Sequence, residues 1–470
     1  YGLPSRFWQL GAGVLLFQWH NNHGAAAQHQ RAPLITAGVA VMALAAIVGR
    51  PTHSPYPDGL LPVLGTALVL HGCGGGPASG VAALLRSTPA QWLGNRSYSL
   101  YLWHWPVIVV LRWTLGLQGI GTLLAVVVSL GLAMLSYQVI EQPFRNLGKN
   151  DRVRPQQILV AGLAASSATF VLGLQGYANQ NYLSLSVTRD ENTWFSKRTT
   201  HQPSKQVKNH RFFSKQTLFV AGNSHAPAYW TMLEAVAKEQ DINIVVDNLR
   251  LCAPGKLDHA VLKRKPNCSR EQDQWLKKLA ELGKPGDIVL LASLRIPRFS
   301  DQWEQPRSVA QLRRQQASTQ AIQKREQGQT ETLALIKRLE TMGFVVIIDL
   351  PKPIFASPPF RCSDWFNHMN PICAAGFTVN KSDLEAIRQP VVAQVMALKK
   401  TVPNLVVWDP LPELCPGKIC NAFDHQQPLF HDGDHLSGHG NRILTPLFTR
   451  LLQQLKPNDT PSRTAQRRNA

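Results

Sequence analysis

The sequence predicts a chain of two unlike parts: a multi-pass α-helical membrane domain, present in part, followed by an α/β domain whose parallel sheet is flanked by helices. Three observations predict it. Apolar runs of near-bilayer length crowd the first ~180 residues and then stop. From residue 216 onward short β-like runs alternate with helical patterns. Six of the seven cysteines lie after residue 250.

The apolar runs fall at about 3–18, 33–49, 60–74, 98–115, 119–140 and 156–177. Six such runs so close together exceed what the core of a soluble domain would use, so they are expected to insert in a bilayer. Lys and Arg in short loops set the orientation. Residues 141–155 carry Arg145, Lys149, Arg152 and Arg154, and residues 75–97 carry Arg86 and Arg96, which places both loops in the cytoplasm. The last run then leads outward and leaves everything after it outside. The chain opens on Tyr1 with no charged leader before its first apolar run, and so reads as the C-terminal part of a longer protein.

Residues 181–215 are polar and read as a linker or extension; residues 457–470 read as a disordered tail. Between them, strands are expected at Thr217–Ala221, Ile242–Asn248, Asp287–Leu294, Phe344–Leu350 and Leu405–Trp408. Helices are expected at about 227–240, 270–283, 318–342, 382–400 and 439–455. Reactive groups of such parallel sheets collect beyond the C-terminal ends of the strands.

The cysteine distribution agrees with the orientation. Cys252, Cys268, Cys362, Cys373, Cys415 and Cys420 form an even set confined to the polar domain, the mark of disulfides in an oxidising compartment; pairing of neighbours is expected. No C-x2-C pair supports zinc, and no metal is expected. The net charge of +20 suits cytoplasmic membrane loops and an anionic surface or glycan. Without zinc-finger spacing, an RNP motif or a basic-aromatic strand, nucleic acid is not an expected partner.

The chemistry centres on Leu218-Phe-Val-Ala-Gly-Asn-Ser-His225, where an apolar strand ends in Gly222 and puts Ser224 on a sharp turn before a helix. A serine in such a turn is often only a helix N-cap. Far downstream, however, Asp432-Gly-Asp-His435-Leu-Ser437 supplies an acid three residues before a histidine. Together they give a nucleophile (Ser224), a general base (His435) and an acid that fixes the imidazole (Asp432). Asp434 is expected to face solvent or cap the next helix. Oxyanion donors are expected from the backbone of Ser224 and from the loops holding Cys252 and Arg295. In the membrane part, Arg6, Arg96 and His104 are functional candidates, because ionisable groups near membrane depth commonly line a pathway.

Arg6-Phe-Trp-Gln-Leu10, Ser97-Tyr-Ser-Leu-Tyr-Leu-Trp-His-Trp-Pro106 and Glu141-Gln-Pro-Phe-Arg145 together resemble the second half of the acyltransferase-3 membrane family. Gly222-Asn-Ser-His225 with Asp432-x-x-His435 resembles the SGNH hydrolase and transferase fold, with Asn223 where members of this type usually carry Asp. The fusion is similar to bacterial O-antigen acetylases. The resemblance implies residues 1–150 as the end of the acyltransferase-3 domain, 151–180 as an additional linking helix, 181–215 as a periplasmic extension and 216–456 as the SGNH domain. It further implies an inner-membrane protein that passes acetyl from acetyl-CoA across the bilayer and through Ser224 to a surface glycan, most directly lipopolysaccharide O-antigen. No cofactor is expected in the SGNH domain itself. Peptidoglycan as acceptor, a carbohydrate acetyl esterase with the same triad, and a glycan-binding module with a vestigial triad remain open alternatives; the oligomeric state is not legible.

Overall fold

The structure, a computed structural model, describes residues 7–24, 26–49, 56–74, 80–147, 154–197, 215–249, 252, 268–301 and 304–455. Arg6 and the tail from 457 lie outside them. The chain divides into two compact units, Tyr1–Val107 with Val126–Val153, and Ile108–Ala125 with Arg154–Ala470.

The N-terminal region, most of it in the first unit, is helical. Helices α1 (Phe7–His23), α2 (Gln28–Val48) and α3 (Leu60–Cys73) precede two short helices. Helix α4 (Ser97–Thr114) and helix α5 (Ile120–Ser136) follow, and α5 runs on through a π turn at Tyr137–Glu141 into Gln142–Leu147. The closest packing is α2 on α3, where Gly38 and Gly65 face each other. A Cβ at Gly38 would stand 2.6 Å from the Gly65 carbonyl oxygen, and one at Gly65 2.8 Å from that of Gly38. Small residues let helices approach this closely where lipid gives no hydrophobic drive to associate.

Among the described residues, three helices are long and apolar enough to cross a membrane: Gln28–Val48, Ile120–Asn146 and Gln156–Ala178. The expected run at 60–74 forms a shorter apolar helix, Leu60–Cys73. The last span belongs to α6 (Pro155–Ala178), in the second unit, and none of its apolar window is buried. A helix apolar on every side and covered on none is at home in lipid.

The rest of the second unit is an α/β layer structure. Its five-stranded parallel sheet comprises β1 (Thr217–Gly222), β2 (Asn243–Asn248), β3 (Ile288–Ala292), β4 (Val345–Asp349) and β5 (Val406–Trp408), in the spatial order β2-β1-β3-β4-β5. β1 and β3 are buried along their whole length, which explains why their sequences run continuously apolar rather than alternating. Helices α7 (Trp230–Gln240), α8 (Cys268–Leu282), α9 (Val309–Ala317), α10 (Thr319–Thr341), α11 (Lys381–Thr401) and α12 (Gly438–Gln454) complete the domain. The strands lie within a residue or two of their expected positions. The helix expected at 318–342 has a separate neighbour in α9, started by a capping box at Ser308 and Gln311.

Three disulfides join Cys252 to Cys268, Cys362 to Cys373 and Cys415 to Cys420; Cys73 is a free thiol. Of the stretch read as a linker or extension at 181–215, residues 184–197 fold onto the α/β domain. Ser186 Oγ donates to Asp364 Oδ2 and Val187 N–H to Asp364 Oδ1, both at 2.8 Å. Asp190 caps the short helix Glu191–Trp194, and Trp194 is buried between Phe360 and Phe423. The polar composition of this stretch hid one indole that needs a core. Residues 198–214 lie outside the described set.

Candidate active site

Parallel pairing brings the ends of β1 and β3 together, and Gly222 permits their close approach: a Cβ there would lie 1.4 Å from the Ala292 carbonyl oxygen. The next residue ties the two loops, since Asn223 Oδ1 accepts the N–H of His225 (3.0 Å) and of Leu294 (3.4 Å). Ser224 thereby stands exposed at the C-terminal end of β1. The helix expected from Pro227 begins differently: Pro227–Tyr229 is a 3-10 turn, and α7 starts at Trp230.

The opposing wall is the loop before α12. Asp432 Oδ1 accepts the N–H of Asp434 (3.0 Å) and of His435 (2.7 Å), curling the loop so that Asp432 Oδ2 meets His435 Nδ1 at 2.8 Å. His435 Nε2 lies 2.6 Å from Ser224 Oγ. The helix that follows is anchored twice. Ser437 Oγ accepts the Gly440 N–H at 2.9 Å as its N-cap. Asn441 bonds across to the segment after Ser224, its Nδ2 donating to Ala228 O (2.9 Å) and its Oδ1 accepting from Met232 N (3.3 Å). Residues two hundred positions apart are thus held at hydrogen-bonding distance.

Behind this line lies a second one that the sequence reading did not anticipate. Asp434 neither faces solvent nor caps α12; it is buried at 3% exposure. Its Oδ1 lies 3.2 Å from His435 Nδ1, and its Oδ2 receives His225 Nε2 at 3.2 Å and Arg298 Nε at 2.5 Å. The His225 ring is fully buried and stacked on that of His435, centroids 4.4 Å apart and planes 14° from parallel. His225 and Asp434 adjoin Ser224 and His435 in sequence, and that adjacency was the available signal. Arg298 arrives from the loop after β3, and no local pattern marks it.

The charges follow from this packing. Burial opposes protonation of His435, but the charge of Asp434 and the hydrogen bonds and charge of Asp432 outweigh it and push its pKa up to about 10. Burial, with the positive charges of His435 and Lys352, takes His225 down to about 3, so that ring stays neutral. Its Nε2 then carries the proton given to Asp434. Burial alone would raise the Asp434 carboxyl, yet His435 and the hydrogen bonds from His225 and His435 hold it well below the usual range. His431 is lowered, chiefly by burial. Groups with such opposed shifts in one cleft are the usual sign of proton-transfer chemistry.

The expected oxyanion donors need correction. Cys252 is disulfide-bonded, and its N–H is spent on Leu249 O at 2.8 Å. Arg295 is buried at 3% exposure, and its guanidinium serves Asp349 (2.5 Å) and the carbonyls of Leu291, Ser293 and Asp349. It closes a buried charge cluster under the sheet ends, in which Lys352 Nζ contacts Tyr229 Oη (2.8 Å) and Asp349 (3.4 Å). A charge at the end of β3 has its partner at the end of β4, so it turns inward rather than toward Ser224.

Among the described residues, two histidine-acid sets, His225 with Asp434 and His435, and His431 with Asp432 and His435, are close enough to hold an ion. Both share His435, whose nitrogens already serve Ser224 and Asp432. Beside them an aromatic wall is formed by Phe195, Phe360 and His431, with ring centroids 4.9 Å apart for the two phenylalanines and 5.4 Å for Phe195 and His431.

Of the membrane-domain candidates, Arg6 lies outside the described residues. Arg96 donates to Trp92 O (3.0 Å) and lies over the rings of Trp92 and Tyr137. His104 Nδ1 turns back to Leu100 O (3.1 Å) and Tyr101 O (2.7 Å) of its own helix. Nearby, buried Ser99 donates to Glu141 at 2.8 Å.

Known proteins share parts of this chain. It is 42% identical over 99 residues to the putative peptidoglycan O-acetyltransferase YrhL of Bacillus subtilis, covering 20% of this chain and 15% of that protein. It is 27% identical over 232 residues to the peptidoglycan O-acetyltransferase OatA of Listeria monocytogenes, covering 44% of this chain and 36% of that one. The chain thus spans little more than a third of the longer of these matches. Among solved structures, the lipopolysaccharide acetyltransferase periplasmic domain of Salmonella ser. Paratyphi A aligns with 58% of this chain and 99% of its own, at 13% identity and a TM-score of 0.34. The family model described as the SGNH domain fused to AT3 domains matches residues 194–450, more than half of the chain, and its first residue is the buried Trp194 of the folded extension. The chain belongs to that family of SGNH domains fused to AT3 domains.

Proposed function

We propose that this chain is the acceptor-modifying part of an O-acetyltransferase that moves acetyl through Ser224 to a hydroxyl of a cell-surface polysaccharide, with lipopolysaccharide O-antigen as the acceptor. The observation that carries the reading is the unbroken hydrogen-bonded line from Ser224 Oγ through His435 to Asp432. In the first half-reaction His435 Nε2 takes the Ser224 proton as Oγ attacks the acetyl carbonyl. The proton then passes to the leaving group, and acetyl-Ser224 remains. In the second half, a sugar hydroxyl loses its proton to His435 and attacks the ester; Ser224 leaves and regains a proton. Asp432 holds the ring and stabilises its cationic form in both.

Acetyl-CoA is the ultimate donor in this reading, used by the membrane domain on the cytoplasmic side. The protein sits in the bacterial inner membrane with its α/β domain in the periplasm. The Lys and Arg content of residues 141–155 and the three disulfides support that placement. The net charge of +20 favours an anionic glycan.

A second acceptor, peptidoglycan, is favoured by the printed names of the relatives in Bacillus and Listeria. The test is mass spectrometry of acetyl groups on purified lipopolysaccharide and on sacculi, from cells carrying the protein or its Ser224→Ala variant. Loss of acetyl from lipopolysaccharide alone is the expected result. Loss from sacculi alone would transfer the reading to peptidoglycan, and unchanged acetylation of both would overturn it.

A further inference from the structure

The line from Arg298 through Asp434 to the histidine pair has no part in the half-reactions above. It is nevertheless built with care: a buried carboxylate, two stacked rings and one guanidinium, drawn from three separate loops. We infer that Arg298 is a positioning residue for the reaction at Ser224, clamping Asp434 and drawing its charge away from His435 so that Asp432 remains the partner of the general base. The inference rests on the reading of Ser224 as nucleophile.

The geometry gives the reason such a clamp is needed. His435 Nδ1 faces two carboxylates, Asp432 at 2.8 Å and Asp434 at 3.2 Å. A ring held equally by both would be offered its proton by Ser224 in a poorer direction, and would keep that proton too tightly to return it. Arg298 Nε takes the far oxygen of Asp434 at 2.5 Å, and His225 Nε2 takes the same oxygen at 3.2 Å. Both pull the carboxylate's charge to the side away from His435. The other charged or titratable groups facing the assembly are His431, stacked 5.5 Å from His435, and Lys352, which acts on both His225 and Asp434. Asp301 faces Arg298. Burial opposes the charge on Arg298, but Asp434 and Asp432 outweigh it and raise its pKa, so the guanidinium stays charged throughout.

Removing Arg298 leaves the negative charge of Asp434 undivided at His435, so the ring should hold its proton to higher pH. Removing the charge of Asp434 does the opposite. Because Arg298 acts through Asp434, the double substitution should behave as the Asp434 substitution alone. A residue that merely braced the loop would give losses of rate without paired shifts of opposite sign.

The experiment measures the pH dependence of Ser224 labelling by a fluorophosphonate probe, on the full chain in lipid nanodiscs, for wild type, Arg298→Gln, Arg298→Lys, Asp434→Asn and the double variant. We expect the acid limb to move up by about one pH unit in Arg298→Gln and down by a similar amount in Asp434→Asn. The double variant should follow Asp434→Asn, and Arg298→Lys should stay near wild type. A limb that does not move in either Arg298→Gln or Asp434→Asn, with Ser224 labelled normally, overturns the inference and spares the proposed function. Absence of labelling in wild type at every pH overturns the nucleophile and the inference with it. Should Arg298→Gln fail to fold, Asp434→Asn decides: an unchanged limb there counts against the clamp.

Discussion

Two stacked histidines at the centre of the site carry opposite burdens. His435 is raised to about 10 by its carboxylates, so the stability it confers is complete below the ordinary histidine value near 6.5 and is lost as pH climbs toward 10. His225 is lowered to about 3 by burial, so its contribution is complete above about 6.5 and is lost as the solution is acidified toward 3. These two groups therefore give a stability maximum near pH 6.5, flanked by declines of different origin. Thermal unfolding across pH 4 to 10 should show it, and His225→Asn should flatten the acidic side only. Activity should run the other way on the alkaline side, because the base form of His435 fills as pH rises. An optimum of Ser224 acylation at or below pH 6 would be incompatible with the paired carboxylates. At this scale the sequence was uneven. That Ser224, Asp432 and His435 lie together was legible, since a strand-end serine and an Asp-x-x-His turn are local patterns. Asp434 was not. Its seat is decided by Arg298 and His225, which reach it from other loops, and Ser437 takes the cap that Asp434 was expected to supply.

Among the elements, α12 does more than close the domain. Asn441 on its first turn holds the carbonyl of Ala228 and the N–H of Met232, so the helix behind His435 and the helix after Ser224 share one pin. Asn441→Ala would strand one buried donor and one buried acceptor, a cost of about 1–3 kcal/mol. The lowered melting temperature should come with a larger loss of 4-nitrophenyl acetate turnover, because small displacements of a nucleophile from its base cost rates of order tenfold to a hundredfold. A fall in melting temperature with unchanged turnover would show that the pin serves the core alone. The strands and most helices were legible from their periods, because a doubly covered sheet needs continuous apolar runs. The helix at Val309–Ala317 escaped because its apolar face rests on two buried positions, Leu312 and Gln316, one of them polar.

For the molecule as a whole, the Lys and Arg content of the short loops sets the expected orientation. An alkaline phosphatase fused after residue 455 should be active and one fused at residue 149 inactive, since that enzyme matures only outside the cytoplasm. Activity at both points would remove the orientation on which the proposed relay depends. Among the described residues, three of the six expected apolar runs form helices long and apolar enough to span a membrane; the fate of the ionisable groups was not legible. Arg96 and His104 settle on neighbouring rings and on their own helix carbonyls, choices that no hydropathy window contains.

The short connection between α6 and the α/β domain has a mechanical meaning. α6 ends at Ala178, and the chain is already fastened to Asp364 by Ser186 and Val187. The seven intervening residues span eight Cα–Cα steps, which could stretch to at most about 28 Å even if fully extended, and four of these residues, Gln180–Leu183, are wound into a helical turn. The α/β domain is therefore on a short leash to α6. In the proposed function, a long polymer then has to present its hydroxyl close to the bilayer, which favours glycan still carried on a membrane anchor over glycan already delivered elsewhere.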